Sequence, residues 1–305
     1  MSAALRHTFA RAMGTVGYYL ALPFIYGIAL LPFPLLYLLS DGVYWLLFRV
    51  IGYRRQVVMT NLRNSFPEKG EAELRAIADR FFRWFCDLTL ETLKTLTIGP
   101  KAVRARVEFR NIELLRKYAD QGRSVILVLG HYGNWELAGA RYSQEKDIPQ
   151  LYVIYHPLAN THFDRLMHHM RTRHGTRLYR MREASRDMIR DKDLLTATAF
   201  IADQTPSPER AYWMTFLNQD TPVFLGTESL SRKLDQPVVY IRITRPRRGH
   251  YIMEMELLVA EPKAMREGGI TEVHTRRLEA DIRNVPELWL WTHRRWKHKR
   301  PTSVV

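Results

Sequence analysis

Apolar residues recur along the chain in two patterns that predict two kinds of element. Short uninterrupted apolar runs predict buried strands, and apolar residues three or four positions apart predict helices with one apolar face. The runs occupy residues 125–129, 151–155, 194–201 and 238–243, and the helical spacing occupies residues 71–96, 138–144, 163–173 and 270–283. Because strands and helices alternate, we expect an α/β fold, a mainly parallel sheet with covering helices.

The last apolar run is followed by a turn and by a strand of a different pattern. Residues 247–249 favour the turn, and in residues 251–258 Glu254 and Glu256 alternate with apolar residues. Such alternation predicts a strand with one solvated face. We therefore expect an antiparallel hairpin at the edge of the sheet.

A long apolar segment near the N-terminus predicts a membrane anchor. Residues 12–40 carry no charged side chain, and this segment is long enough to cross a bilayer as one helix. Pro23, Pro32 and Pro34 argue against a single straight span, and residues 31–34 are the expected break, because proline disfavours helix in the residue before it. Basic residues flank both ends, and the positive-inside tendency favours the cytoplasm for both. An anchor over residues 1–55, either a re-entrant or interfacial hairpin or one tilted span, should precede a domain over residues 56–305.

A histidine follows the first apolar run within a glycine-flanked turn. His131 lies between Gly130 and Gly133, and Glu136 falls in the first turn of a helix that Asn134 can cap. A carboxylate beside an imidazole fixes its tautomer and stabilises the imidazolium that forms when the ring removes a proton from a hydroxyl. The spacing suits a general base that activates an alcohol, although many histidines at strand ends serve only packing.

The segment from His131 to Glu136 resembles the active-site motif of the bacterial late acyltransferases of lipid A biosynthesis, a branch of the lysophospholipid acyltransferase group. The resemblance extends over most of the chain, with the motifs in the family's order. The further matching segments are Asn61-Leu62, residues 65–68, Tyr155-His156-Pro157 with Asn160, residues 202–205, residues 224–226 and residues 286–297. His156 is a departure, since the family usually has arginine at that position.

The resemblance implies a membrane-associated acyltransferase on the cytoplasmic face of the cell inner membrane, with an α/β core like that of glycerolipid acyltransferases. The implied reaction moves a fatty acyl group from an acyl carrier protein thioester to a hydroxyl of a lipid A precursor, an anionic glycolipid of lipopolysaccharide biosynthesis. His131 is the expected general base, and Glu136 is the carboxylate expected to orient it. Basic side chains or backbone N–H groups are expected to hold the oxyanion.

Two residues at the end of another apolar run are expected in the same site. Asp203 and Gln204 follow a predicted strand as His131 does, so they are expected to face the same crevice. The resemblance implies that they position the substrate or support the loop, and loop support is slightly favoured.

Several residues of the segment 156–173 are also expected to bind substrate. Arg171 and Arg173 match basic positions of the family, and guanidinium groups suit phosphate or an oxyanion, although either could belong to a solvated helix face. Asn160 begins the helix that carries them. His156 could replace the family's arginine only when protonated, unless Arg165 takes over.

The composition favours an acidic partner and excludes some classes of site. In the 305 residues, 46 Lys and Arg against 31 Asp and Glu give a net charge of +15, which suits anionic lipid, an acidic carrier protein or nucleic acid. The single cysteine excludes an internal disulfide framework. No phosphate-binding glycine motif supports a nucleotide cofactor, and the histidines of residues 156–174 lack metal-ligand spacing, so neither cofactor nor metal is expected.

Two alternatives to the implied reaction stay open on the sequence. The same histidine chemistry would serve another acceptor, such as a lysophospholipid or an aminoacyl lipid. A non-catalytic basic membrane-binding or nucleic-acid-binding protein would also explain the charge, because residues 289–300 mix tryptophan with basic side chains. The resemblance favours a C-terminal segment packed near the membrane, with no nucleic acid as partner.

Overall fold

The centre of the molecule is a sheet of mainly parallel strands. In the computed structural model the backbone is described for residues 3–301 and the side chains for residues 15–301. The strands are β1 (Val107–Arg110), β2 (Val125–Leu129), β3 (Gln150–Tyr155), β4 (Arg177–Arg180), β5 (Thr196–Ile201), β6 (Tyr212–Phe216), β7 (Gln219–Val223), β8 (Val238–Arg247) and β9 (His250–Val259). Within the described residues, seven of them form one sheet in the order β1-β9-β8-β2-β5-β3-β4, and β6 and β7 form a separate hairpin.

Strands β8, β2, β5, β3 and β4 run parallel to one another, and β9 runs antiparallel to β8. All five residues of β2 are buried, as expected for a central strand that is covered on both faces. The expected α/β fold with a mainly parallel sheet is therefore confirmed. The carboxyl ends of the parallel strands meet at one edge, where ligands of such sheets bind.

Helices cover both faces of the sheet. They are α1 (Ala3–Leu30), α2 (Phe33–Tyr44), α3 (Arg55–Ser65), α4 (Glu71–Lys94), α5 (Pro100–Arg104), α6 (Glu113–Asp120), α7 (Trp135–Tyr142), α8 (Thr161–Thr172), α9 (Ala184–Arg190), α10 (Gly226–Leu234) and α11 (Gly269–Asn284). A π-helix over Trp45–Val50 continues α2, and short 3₁₀ helices cover Pro208–Arg210, Pro262–Ala264 and Pro286–Leu288. The four helices expected from apolar spacing correspond to α4, α7, α8 and α11.

The edge of the sheet differs from the prediction. The hairpin of β8 and β9 is present, but β1 pairs with β9 on its outer side, so β9 is not an edge strand. Strand β1 is only four residues long and has one fully buried position, Val107, so its sequence carries little apolar signal. The short strands β4, β6 and β7 also lack a strong apolar run.

The N-terminal apolar segment forms two helices. Helix α1 ends at Leu30 and α2 begins at Phe33, which confirms the break expected at the prolines. The helical stretch Phe33–Val50 is long and apolar enough to cross a membrane by length and composition, and 22% of it is buried. Its neighbour α1 exposes large apolar side chains such as Phe24 (74%) and Leu20 (67%).

The two N-terminal helices also contact the α/β domain. Tyr18 of α1 packs on the rings of His162 and Phe163 in α8. In α2, the Tyr37 hydroxyl and the Ser40 hydroxyl donate hydrogen bonds to carboxylates of α4. Helices on the two sides of the expected boundary near residue 55 therefore share polar contacts, and the boundary itself stays a prediction.

Candidate active site

His131 lies in a tight turn directly after β2, at the carboxyl edge of the sheet. Two glycines allow this turn. Gly133 has a φ of +66°, and an added Cβ there would lie 2.5 Å from the carbonyl oxygen of Ile243. At Gly130 an added Cβ would lie 2.7 Å from the side chain of Leu278. Glycine is therefore required at position 133, where a side chain would meet the backbone of β8 at a positive φ, whereas a side chain at position 130 would need Leu278 of α11 to move.

Asp203 is the hydrogen-bond partner of His131. In the parallel pair of β2 and β5, Leu129 is level with Ile201, and His131 and Asp203 follow these residues by the same number of positions. Nδ1 of His131 lies 2.6 Å from Oδ1 of Asp203, and the backbone N–H of His131 donates to Oδ2 at 2.7 Å. An Nδ1–H that donates to the carboxylate leaves the lone pair on Nε2, the form that a general base requires.

The Asp203 carboxyl is ionised although it is buried. Burial alone would raise its pKa, but the charge of His131 and the hydrogen bonds from the ring and backbone of that residue lower the pKa to about 2. The indole N–H of Trp289 adds a further hydrogen bond to Oδ2 at 2.8 Å. The carboxylate therefore stays an acceptor at neutral pH, and it can stabilise an imidazolium at His131.

The expectation that Glu136 orients His131 is wrong. The carboxylate of Glu136 faces α8, where Arg171 donates to it from Nε at 3.1 Å and from Nη2 at 2.5 Å. No hydrogen bond joins Glu136 to His131 among the described side chains. Trp135 packs edge-on against the imidazole with ring centroids 4.9 Å apart, and the next helical position points about 100° away, toward α8.

The pair of Glu136 and Arg171 is largely buried, with exposed side-chain fractions of 10% and 24%. Burial lowers the pKa of Arg171, but the carboxylate of Glu136 outweighs this effect and raises that pKa overall. The guanidinium therefore stays charged. It uses Nε and Nη2 on the carboxylate, and no protein group accepts from its Nη1 among the described residues.

An apolar cavity of about 260 Å³ opens beside the His131–Asp203 pair. Its polar lining residues include His131, Glu136, Arg171 and Gln204. Its apolar walls come from β2, β3, β5, β8 and α7, and they include Leu127, Leu129, Gly139, Leu151, Val153, Ala199 and Ile241. A cavity of this composition suits a hydrocarbon chain whose polar end lies beside the histidine.

Two other expected residues lie at this cavity. Nε2 of the Gln204 side chain lies 3.4 Å from Nε2 of His131, so its amide faces the reactive nitrogen. His156 is exposed and lines the cavity, and its Nδ1 lies 2.9 Å from the carbonyl oxygen of Pro157. His131, Arg171, Gln204 and His156 thus line one cavity, whereas Asp203 contacts His131 without lining it.

Arg173 and Asn160 make structural contacts instead. The Nη1 group of Arg173 donates to two carbonyl oxygens in the segment after α4, at 2.7 and 2.9 Å. The Asn160 side chain caps α8 by accepting the backbone N–H groups of His162 and Phe163. Both residues fix the helix that carries Arg171, and neither lines the cavity.

The C-terminal segment is packed against the active-site turn. Trp289 forms a β-bridge with Tyr132, and the N–H of Gly133 donates to the carbonyl oxygen of Leu288 at 3.0 Å. Arg295, in the basic run 293–300, is only 2% exposed, and burial lowers its pKa to about 10. No local sequence pattern indicates that Trp289 contacts Asp203, because the two residues are far apart in the chain.

Comparison with known proteins identifies the family of the chain. A family model of bacterial lipid A biosynthesis acyltransferases matches residues 6–298. The lipid A biosynthesis lauroyltransferase of Escherichia coli (strain K12) is 24% identical over 279 residues, which cover 90% of this chain and 89% of that protein. The myristoyltransferase of the same strain is 24% identical over 162 residues, or 53% of this chain and half of the relative's length. The chain therefore belongs to the bacterial lipid A biosynthesis acyltransferase family.

Proposed function

We propose that this acyltransferase moves a fatty acyl group from an acyl carrier protein thioester to a hydroxyl of a lipid A precursor. The observation that carries the proposal is the position of the His131–Asp203 pair at an apolar cavity. An acyl chain in the cavity would place its thioester carbonyl beside His131. Lipid A acyltransferases are membrane-associated, and we place this one on the cytoplasmic face of the inner membrane.

His131 acts as general base in this proposal. Its Nε2 removes the proton of the acceptor hydroxyl as the oxygen attacks the thioester carbon. Asp203 holds the Nδ1–H and stabilises the imidazolium. When the tetrahedral intermediate collapses, the C–S bond breaks and the imidazolium returns the proton to the departing thiolate. The products are an ester on the acceptor and a free thiol on the carrier.

Arg171 is the proposed donor to the oxyanion. Glu136 holds two of its nitrogens and thereby orients Nη1, which has no protein acceptor among the described groups. A fixed guanidinium N–H aimed at developing negative charge stabilises the transition state without reorganisation. The same arrangement removes the need for an arginine at position 156.

No covalent enzyme intermediate is part of the proposal. Cys86 lies in α4 and is 3% exposed, and burial raises the pKa of its thiol to about 12. A thiol that stays protonated and inaccessible is a poor nucleophile. The acyl group therefore passes directly from the carrier to the acceptor.

The acceptor is proposed to arrive from the membrane. Leu158 and Met181 line the cavity and are 47% and 46% exposed, so an apolar surface lies at its opening. The net charge of +15 favours an acceptor that carries phosphate over a neutral lipid. A phosphorylated acyl disaccharide satisfies both conditions.

A competition assay tests the acceptor. The full-length protein in detergent micelles is given acyl carrier protein thioester with three acceptors at equal concentration: a phosphorylated lipid A precursor, its dephosphorylated form and a lysophospholipid. We expect the phosphorylated precursor to receive most of the acyl groups. Equal use of the three acceptors, or a preference for the lysophospholipid, would refute the proposed acceptor while His131 chemistry would stand. Faster transfer from acyl coenzyme A than from the carrier would refute the proposed donor.

A further inference from the structure

A buried carboxylate that the mechanism does not use lies behind the active-site turn. Glu91 of α4 is 0% exposed and accepts three hydrogen bonds. The donors are the hydroxyl of Tyr37 at 2.8 Å, the hydroxyl of Tyr251 at 2.6 Å and the side-chain amide of Asn134 at 2.7 Å. The donors come from α2, from β9 and from the turn after His131. One side chain therefore joins three separate parts of the fold.

The hydrogen bond with Asn134 connects Glu91 directly to the active-site turn. The side chain of Asn134 is fully buried, and its oxygen accepts the backbone N–H of Leu137 at 2.9 Å, which caps α7. Its amide has Glu91 as its acceptor. If Glu91 moved, this amide would lose its partner, which is costly for a buried group. The cap would shift, and with it the first turn of α7, which carries Glu136.

The contact with Tyr37 leads to the membrane segment. Tyr37 lies on α2, within the stretch Phe33–Val50 that is apolar enough to cross a membrane. About one turn earlier in α4, Asp87 accepts from Ser40 of α2 at 2.6 Å. Arg248 joins Asp87 to Asp41 of the same helix. Helix α2 is therefore fixed to α4 by polar contacts on the side that faces Glu91.

We propose that Glu91 is a positioning residue that couples the packing of α2 against α4 to the geometry of the active-site turn, residues 130–134. Only one side chain separates Tyr37 from Asn134, so a displacement of α2 reaches the α7 cap through a single rigid carboxylate. The catalytic site is then correctly formed only when α2 is packed against α4. The consequence for turnover rests on the proposed function, whereas the structural coupling does not.

Single hydroxyl deletions test the coupling in the full-length protein held in phosphatidylglycerol nanodiscs. Tyr37→Phe removes only the hydrogen bond that the Tyr37 hydroxyl of α2 donates to Glu91. Tyr142→Phe is the matched control, because its buried hydroxyl donates to the carbonyl oxygen of Pro149 at 3.1 Å, away from Glu91. Three quantities are measured for each variant: the rate of amide hydrogen exchange at Leu137, and kcat and KM for acyl transfer.

We expect Tyr37→Phe to accelerate exchange at Leu137 and to lower kcat roughly 10-fold with KM for the donor unchanged, because the reacting groups are misplaced. Tyr142→Phe should leave the exchange rate at Leu137, kcat and KM at wild-type values. Glu91→Gln should retain more activity than Glu91→Leu, since the amide oxygen can still accept from Asn134 while its N–H₂ donates to the Tyr37 hydroxyl.

Other results would overturn the proposal. Wild-type exchange at Leu137 in Tyr37→Phe would show that α2 and the turn are uncoupled. Faster exchange with an unchanged kcat would show that the coupling does not position the reacting groups. Equal losses in Tyr142→Phe would indicate general destabilisation. If the wild-type protein transferred no acyl group, the proposed function would fail, and exchange at Leu137 would still decide the coupling.

Discussion

Replacing Asp203 with asparagine is expected to remove most of the activity while the fold persists. The carboxylate accepts the Nδ1–H of His131 at 2.6 Å, and an asparagine amide at that place can instead donate to Nδ1. The ring would then carry its proton on Nε2, where the lone pair is needed. Loss of general-base catalysis corresponds to roughly 10²–10⁴ in rate, or about 3–5 kcal/mol in the activation free energy.

The assay is initial-rate acyl transfer from carrier thioester, with kcat and KM measured separately. We expect kcat to fall and KM for both substrates to change little, because Asp203 contacts the histidine and does not line the cavity. Asp281→Asn is the control, since that carboxylate is also buried and accepts the Tyr240 hydroxyl at 2.8 Å. The control should lose stability but keep kcat within about threefold, because Asp281 makes no contact with His131.

The Asp203→Asn substitution should also change the stability of the protein in acid. The folded pKa of Asp203 is about 2 against an ordinary 3.8, so its contribution is present above the ordinary value and is lost as pH falls to the folded value. The difference corresponds to about 2 kcal/mol. Asp203→Asn should therefore flatten the loss of stability in this acid window, as followed by chemical denaturation. A variant with wild-type kcat would refute the assignment of Asp203 as the orienting carboxylate.

Four further variants test the site and the N-terminal helices. Glu136→Gln should lower kcat about 10-fold or more in kinetic assays, because Arg171 loses the carboxylate that orients it. Arg171→Lys should also lower kcat, because lysine lacks the planar fork that binds this carboxylate through two nitrogens. Gly139→Leu should shift donor preference toward shorter acyl chains in a competition of thioesters, because an added Cβ meets only one side chain at 3.9 Å and the rest would fill the cavity. Deletion of residues 1–48 should release much of the protein from membranes and leave salt-sensitive residual attachment. It should also lower the thermal midpoint, because two carboxylates of α4 lose the hydroxyl groups that donate to them from α2.

Much of the fold could be predicted because it depends on local pattern. The apolar runs of β2, β3, β5 and β8 are long enough to indicate buried strands, and the proline break between α1 and α2 follows from backbone chemistry. Strand β1 could not be predicted, because four residues with one buried position carry no periodic signal. Its place outside β9 depends on packing of distant elements.

The site was only partly predictable for a similar reason. His131 is recognisable from its position after a strand and between glycines. Its partner could not be read from nearby sequence, because the register of β2 against β5 brings Asp203 to it. The shorter spacing favoured Glu136, but helical geometry turns that side chain toward Arg171. Trp289 completes the site from the C-terminal segment through a contact that no local pattern indicates.

The most direct test of the proposed reaction is mass spectrometry of lipid A from cells that lack the gene and are complemented with variants. Without the gene, lipid A should be lighter by one acyl chain, and the wild-type protein and Asp281→Asn should both restore that chain. His131→Ala and Asp203→Asn should not restore it, although both should be present in the membrane at normal levels. Unchanged lipid A in the deletion strain, or restoration by His131→Ala, would contradict the claim that His131 catalyses acyl transfer to a lipid A precursor.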